Sequence, residues 1–425
     1  LFTHLTSSFR STLLDPEDPV GLEELLDWAT IVLWSSPGPY ESLQGLKPSQ
    51  MLDRHPHLVV TAISPFGLDT PWSDRPATDL TLQAWSGGLI GLGRGDPDLP
   101  PVQVGGEVGA WLTGVCAAIG TLCARARAHR DGAGELVDLS SLEVHALCLT
   151  YEPVTYHDAA GRPFRAGRSR VTPGVELTRD GLVGVGVGTG QQWLDFCAMV
   201  GHPEWTEDRS NFAERSHLRD AIAAWMAERS TEEILELAAA FRIPHAPIGN
   251  GASIPDLPQV RARHAVVPNP RDGFAEPAPP VRFVPPILQR RQPAPALPDT
   301  ADPMVRTSSP TRTDCPPPTG PAGLPYSGLR ILDLTAFWAG PLCTQLLALL
   351  GAEVLHVESP RRPDGTRMLG PRGMSGARWW EESGIFAALN AGKRGITLDL
   401  THEEGRSLLR RLLATCDVVV ENFTP

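Results

Sequence analysis

Residues 329–358 read LRILDLTAFWAGPLCTQLLALLGAEVLHVE. Leu329–Leu334 is a short run of branched apolar residues around Asp333, the pattern of a strand. Leu342, Gln345, Leu346 and Leu349 then fall at helical spacing within Pro341–Leu350. Gly351 follows as a stop, because glycine adopts the left-handed backbone that ends a helix. Val354–Val357 is a second apolar run. Strand, helix and strand in about thirty residues form a βαβ unit, and that unit implies a parallel sheet. The predicted fold class is therefore α/β, a doubly wound parallel sheet.

Further along, Thr401-His402-Glu403-Glu404 has the form of a capping box. It is expected to open a helix with Leu408, Leu409, Leu412 and Leu413 on one face. The near-continuous apolar run Asp417–Val420 reads as a buried parallel strand. Earlier in the chain, His57–Ile63 and Leu182–Val187 read as strands, and Thr231–Phe241 as a helix. Trp111–Arg125 is a helix whose large face carries Trp111, Leu112, Val115, Ile119 and Leu122. Gly114, Ala117 and Ala118 on the same helix admit a close neighbour.

The sequence also repeats itself. LFTHLTSSFRSTLLD at the start aligns with IFAALNAGKRGITLD near the end: Phe2 with Phe386, Leu5 with Leu389, Arg10 with Arg394, Leu14-Asp15 with Leu398-Asp399. After a short gap, LLDWATIVLWSSPGP runs beside LLATCDVVVENFTP. Between the two regions lies a stretch rich in Pro, Ser and Thr with little apolar periodicity, which reads as an extended linker. The expected organisation is residues 1–284 as copy one lacking its front, 285–325 as linker, and 326–425 as the front part of copy two. A chain opening on Leu1 inside an element and closing on Pro425 inside a loop is expected to be a fragment of a longer tandem protein.

Composition narrows the function. The 425 residues carry a formal net charge of −12, which argues against general nucleic-acid binding. No apolar run reaches the roughly 20 residues of a membrane span, and no signal peptide is evident. Seven cysteines without a C-x-x-C pair read as reduced thiols of a cytoplasmic protein. His145 and Cys148 lack a second ligand pair, so no metal is expected.

Three segments could carry chemistry. The turn Ala336-Phe337-Trp338-Ala339-Gly340-Pro341 follows a strand, where doubly wound sheets bind ligands, and Glu358 closes the next strand. Arg361, Arg362, Arg367, Lys393 and Arg394 offer positive charge for phosphate oxygens. Glu421-Asn422-Phe423 puts a carboxylate, an amide and a ring at a strand's end. Taken singly, each reads first as an ordinary turn, a solvated surface or a self-satisfied loop. Trp379 and Trp380 read first as buried core, with pocket lining as the alternative.

Together, LDLTAFWAGPLCTQLLALLGAEVLHVESP, NAGKRGITLDL and CDVVVENFTP resemble the opening of the family III CoA-transferases (CaiB/BaiF family). HPHLVVTAISPFG, ATDLTLQAWSGGL, HRDGAGELVDLSSLEVHAL, QQWLDFCAMVGHPEW and FRIPHAPI resemble the remainder of that family. The resemblance implies a doubly wound large domain with a smaller α+β domain, in subunits that interlock. It implies transfer of CoA from an acyl-CoA to a carboxylic acid through an aspartyl intermediate. It places Phe337, Trp338, Ala339, Gly340, Glu358, Arg361, Lys393, Arg394, Leu398, Asp399, Glu421, Asn422 and Phe423 around coenzyme A. The family's catalytic Asp opens a helix in a G-D-x-x-[TS]-G segment. Here that segment is Gly109-Ala110-Trp111-Leu112-Thr113-Gly114, so Ala110 holds the nucleophile's position, and Glu107, three residues earlier, is a weak substitute that reads first as a solvated loop residue. Copy one also has Trp34-Ser35-Ser36 where copy two has Glu421-Asn422-Phe423. The expectation is a non-catalytic copy one, a CoA-binding copy two whose Asp lies beyond Pro425, and an interlocked dimer or intramolecular pseudo-dimer. An acyl-CoA racemase or epimerase and a non-catalytic acyl-CoA-binding scaffold are the alternatives, the racemase disfavoured by Thr78 in its histidine position.

Overall fold

A computed structural model describes residues 1–12, 19–36, 38, 46–89, 92–93, 99–149, 157, 173–207, 215–286, 291–296, 323–368 and 378–423. The chain divides into two compact units that are interleaved in sequence: Leu1–Asp15, Gly93–Pro97 and Arg168–Thr307 in one, Pro16–Leu92, Asp98–Gly167 and Ser308–Pro425 in the other. In chain order the elements are α1 (Phe2–Leu5), α2 (Pro19–Trp28), β1 (Ile31–Ser35), α3 (Pro48–Arg54), β2 (Val59–Ser64), α4 (Asp79–Ser86), α5 (Val108–Asp131), β3 (Leu136–Ser140) and α6 (Ser141–Leu149). There follow β4 (Val175–Leu177), β5 (Leu182–Val185), α7 (Gly190–Val200), α8 (Arg219–Ala227), α9 (Thr231–Ala240), β6 (His245–Pro247), α10 (Pro258–Arg263), β7 (Val266–Pro268) and β8 (Ala275–Pro277). The last group is β9 (Arg330–Leu334), α11 (Ala339–Leu349), β10 (Glu353–Glu358), α12 (Gly384–Asn390), β11 (Arg394–Thr397), α13 (Glu403–Leu413) and β12 (Val418–Glu421).

The first unit is the smaller α+β part. Helices α7, α8 and α9 bury Trp193, Phe196, Ile222, Met226 and Ile234 against Val183 and Val185 of the antiparallel sheet β4-β5-β6. The sequence Ser-Thr-Glu-Glu starts α9 with a formed capping box, Ser230 receiving the Glu233 N–H. Part of the proline-rich stretch belongs to this unit. Ser8 N–H donates to the Gln292 carbonyl at 3.0 Å, the Gln292 N–H donates back to Ser8 Oγ at 2.9 Å, and Ala294 is buried. Residues 291–296 are thus pinned by backbone hydrogen bonds that an apolar pattern does not reveal. The rest of the expected linker, apart from residues 285–286 and 323–325, lies outside the described residues.

The second unit holds two parallel sheets, β1-β2-β3 and β11-β10-β9-β12. In the second sheet the chain runs β9, β10, β11 to one side and then places β12 on the other side of β9. That reversal is a topological switch point, and the crevice at the carboxyl ends of β9 and β12 is where such sheets take ligands. Helix α2 leads into β1 and α13 into β12, and both strands lie at sheet edges among the described residues.

Three sequence expectations are corrected here. Val418, Val419 and Glu421 of β12 are exposed, so this apolar strand is parallel but not buried. The capping box at Thr401 does not form. Asp399 Oδ1 takes both the Thr401 N–H and its hydroxyl, which leaves His402 as an N-cap without a side-chain bond. On the 24-residue α5, the buried positions are the small ones, Gly109, Thr113, Ala117, Thr121 and Ala124. Close approach to β2 decides this, with Thr121 Oγ1 2.7 Å from Thr61 Oγ1, while Trp111, Val115 and Leu122 face outward. By length and composition alone α5 is apolar enough to cross a membrane.

The early and late segments of the chain meet within this unit. Arg130 Nη1 donates to the Pro325 carbonyl at 3.2 Å. The Cys123 thiol, together with burial, pushes the Tyr326 phenol up to about 12.

Candidate active site at the carboxyl ends of β9, β10 and β12

The turn from β9 into α11 is shaped by two residues. Gly340 packs on Thr335 so closely that an added Cβ would overlap the threonine side chain. Phe337 has φ 69°, left-handed backbone that costs an L-residue about 1–2 kcal/mol. Tertiary contacts hold it there: its N–H donates to Asp364 Oδ2 at 3.1 Å, and its ring lies against Gly365. Trp338 and Phe337 remain 46% exposed, at the mouth of the crevice. Ala339 and Gly340 begin α11, whose first turn has no acidic residue and no side-chain cap. A helix start of this kind can donate N–H groups to an anion.

Across the switch point, Asn422 clamps the turn. Its Nδ2 donates to the Ala336 carbonyl at 2.8 Å, and its Oδ1 accepts the Ala336 N–H at 3.0 Å. Glu421 Oε2 accepts the Phe423 N–H at 2.7 Å, and Phe423 is exposed.

Beneath the turn lies a buried ionic network. Asp333, fully buried, accepts from Thr335 N–H and Oγ1 at 2.9 and 2.6 Å, Thr344 Oγ1 at 2.7 Å, His356 Nδ1 at 3.1 Å and Lys393 Nζ at 3.0 Å. Burial opposes its charge, but the hydrogen bonds from His356 and Thr335 and the Lys393 charge outweigh it and hold the carboxyl far below the usual range. Lys393 is likewise buried, and desolvation lowers its pKa despite Asp333. Its ammonium also donates to the Pro341 carbonyl and Asn390 Oδ1, both at 2.9 Å. Lys393 thus directs its charge at the base of the βα turn.

Glu358 ends β10 and receives a two-pronged pair from Arg367, Nε at 2.7 Å and Nη2 at 3.0 Å. The same guanidinium lies 3.6 Å over the Phe386 ring and reaches Glu381 at 2.9 Å. Around them is a cavity of about 680 Å³ lined by His356, Glu358, Arg367, Trp380, Phe386 and Ile396, among others. Trp379 and Trp380 are 39% and 38% exposed, so the expectation of core burial is corrected. Arg361 lies at the rim, with Nε 2.7 Å from Asp399 Oδ2, and Leu398 is buried beneath it. Arg394 stands apart. It meets Glu353 at 3.2 Å, at the amino end of β10.

The structure therefore gathers Phe337, Trp338, Ala339, Gly340, Glu421, Asn422 and Phe423 at one crevice and Glu358, Arg361, Leu398 and Asp399 at the adjoining strand ends. Sequence reasoning passed over Asp364, which supports the Phe337 backbone, and Phe386, which carries Arg367.

In the earlier half, Ala110 is exposed in the first turn of α5. Glu107 is its N-cap in left-handed backbone, and its side chain caps nothing. Behind Ala110, Gly109 leaves room for His145, whose Nδ1 donates to the Ser141 carbonyl at 2.6 Å. His145 Nε2 lies 3.3 Å from Asp79 Oδ1, and Gln83 Nε2 donates to Asp79 Oδ2 at 2.6 Å. The i, i+4 spacing of Asp79 and Gln83 was the only sequence signal for this group.

A family model, CoA-transferase family III, matches residues 2–300 and 326–425. The chain belongs to CoA-transferase family III. A probable CoA-transferase of Mycobacterium tuberculosis, Rv1866, is 30% identical over 443 residues, covering 98% of this chain and 53% of that protein. The chain thus spans about half the length of that relative. The succinate–glutarate CoA-transferase of Agrobacterium fabrum is 45% identical over 100 residues, 23% of this chain and 25% of that protein. Among solved structures, a CaiB/BaiF family protein from Brucella suis superposes with a TM-score of 0.58 at 23% identity, covering 69% of this chain and 79% of that one.

Proposed function

We propose that this chain is the CoA-holding part of an enzyme that moves CoA from an acyl-CoA donor to a carboxylic acid acceptor through an aspartyl-CoA intermediate. The observation that carries the reading is the switch-point crevice, where the α11 N-terminus and the Asn422 clamp face the same opening. The α11 N–H groups and Arg361 supply the positive potential that a CoA phosphate needs. Phe337, Trp338 and Phe423 offer ring faces to the adenine or pantetheine arm. Lys393 and Asp333 position the βα turn from beneath, and Arg394 contributes at most long-range charge.

Transfer requires a carboxylate nucleophile. It attacks the acyl carbonyl, CoA thiolate leaves, and the thiolate then displaces the carboxylic acid from the mixed anhydride to give the aspartyl thioester. The incoming acid repeats these steps in reverse. Residues 326–425 contain no G-D-x-x-[TS]-G segment, and Ala110 fills that position in the earlier copy. We therefore assign residues 1–284 to a non-catalytic copy, 285–325 to a connector and 326–425 to a CoA-binding copy whose nucleophile is supplied from outside this chain. Packing of Arg130 and Cys123 on Pro325 and Tyr326 supports an intramolecular pseudo-dimer over a separate partner. The six free cysteines among the described residues support a cytoplasmic setting.

The His145–Asp79 pair does not favour an epimerase, because His145 is 1% exposed and its Nδ1 is committed to Ser141. Calorimetric titration of CoA into the 425-residue chain tests the reading. Saturable binding that weakens about tenfold or more in Asn422→Ala is expected, since two hydrogen bonds to the turn are lost. Absence of binding sinks the proposal. In the intact protein, acyl-CoA with hydroxylamine should yield an aspartyl hydroxamate. Exchange of the α-proton without hydroxamate would point to the epimerase.

A further inference from the structure

The cavity of about 680 Å³ beside β10 and β11 is lined by His356, whose Nε2 has no hydrogen-bond partner among the described residues. The His356 side chain is 5% exposed, so bulk water does not serve that atom. Its other nitrogen is committed. Nδ1 lies 3.1 Å from Asp333 Oδ2, which also accepts from the Lys393 ammonium at 3.0 Å. A carboxylate accepts, so Nδ1 carries the proton, and in the neutral ring Nε2 presents a lone pair. Glu358 Oε2 is 4.0 Å from Nε2, beyond hydrogen-bond reach, and accepts from Arg367 Nη2 at 3.0 Å instead. A buried acceptor left unmet is costly, so the ring nitrogen calls for a donor that enters the cavity. The walls restrict what that donor can be attached to. The Phe386 ring stands 6.3 Å from the His356 ring, and Met368, Trp380 and Ile396 add apolar surface. Arg367 and Lys393, the Arg and Lys of the lining, are already matched: Arg367 by Glu358 at 2.7 Å and Glu381 at 2.9 Å, Lys393 by Asp333. A ligand carboxylate here would meet Glu358 and Glu381 with neither of those charges left to receive it.

We propose that this cavity takes the chain of a hydroxylated monocarboxylic acid, and that His356 determines specificity by accepting the hydroxyl hydrogen at Nε2. The inference rests on the CoA-transfer reading and narrows it to a substrate class. That class is a neutral hydroxyl on an apolar body, as the free acid or its CoA thioester, in preference to an unsubstituted fatty acid or a dicarboxylic acid. An analogue without the hydroxyl leaves the ring nitrogen unmet, which is how a polar atom built into an apolar pocket discriminates.

The test titrates the 425-residue chain in a calorimeter with CoA, hexanoyl-CoA, β-hydroxyhexanoyl-CoA, ω-hydroxyhexanoyl-CoA and adipoyl-CoA. At least one hydroxylated thioester should bind about three- to tenfold more tightly than hexanoyl-CoA. Adipoyl-CoA should bind more weakly than hexanoyl-CoA. His356→Phe should abolish the hydroxyl preference while CoA itself still binds. Because the ring also braces Asp333, a second readout uses the unaltered chain. In nitrogen NMR of the histidine rings, the Nε2 signal that His356→Phe lacks should move on adding the hydroxyhexanoates and stay in place with hexanoate. If CoA in every form fails to bind, the CoA reading falls, and the spectra with the free acids still decide the cavity. If CoA binds but hexanoyl-CoA matches both hydroxylated thioesters, if adipoyl-CoA binds most tightly, or if hexanoate moves the Nε2 signal as far as the hydroxy acids do, this inference is overturned.

Discussion

Replacing Lys393 by Met removes the ammonium that faces Asp333 and leaves a fully buried carboxylate with one compensating charge fewer. Three hydrogen bonds go with it, to Asp333 Oδ2, the Pro341 carbonyl and Asn390 Oδ1. Breaking a buried pair from one side costs about 3–5 kcal/mol, a factor of roughly 10² to 10⁴ in the opening equilibrium. Thr335, Thr344 and His356 still donate to Asp333, which puts the expectation at the lower end. Hydrogen exchange read by mass spectrometry on peptides of β9 and β10 measures that opening locally, without assuming that two units unfold together. Asp333→Asn should cost a similar amount, and the double variant should be less destabilised than the sum of the two by about 1–3 kcal/mol. The sign with pH follows from the depressed Asp333 pKa. Its stabilisation is present above the unfolded value near pH 3.9 and is lost as pH falls toward the folded one. Lys393, also depressed, has the same sign at alkaline pH, where the unfolded chain holds its proton longer and rising pH relieves the buried charge. The acid limb should be steep in the natural chain and shallow in Asp333→Asn. A Lys393→Met chain that exchanges as slowly as the parent, or strictly additive variants, would refute the reasoning.

Gly340→Ala forces a methyl into Thr335 and should cost about 1–3 kcal/mol together with CoA binding, measured by thermal melting and calorimetry. Arg367→Lys keeps the charge but loses the two-pronged bond to Glu358 and the ring contact, so it should be destabilising by about 1 kcal/mol or more in denaturant titration. Ala110→Asp restores a carboxylate at the start of α5 without the crevice residues. Acyl-CoA and hydroxylamine should trap nothing on it, and a hydroxamate at residue 110 would refute a non-catalytic first copy.

The βαβ unit at 329–358 was legible because its apolar spacing, its glycine stop and its turn all agree on one local structure. What failed was any reading that depended on distant partners. Lys393 looks like a phosphate ligand until Asp333, sixty residues away, captures it. The apolar run of β12 suggests burial, yet sheet order leaves it at an edge. Large residues on α5 suggest its buried face, yet close packing on β2 selects the small ones. The site was legible as a set of strand ends, whereas the division of labour within it, contact or support, was set by tertiary geometry.

The edge position of β12 also bears on handling. Among the described residues no strand pairs with Val418–Glu421 on the side away from β9, and the segment has no proline or lysine to discourage pairing. At high concentration that edge is a template for adding a foreign strand. Solubility of this chain should therefore track protein concentration more steeply than its net charge of −12 suggests, and a single Val419→Lys change would blunt it.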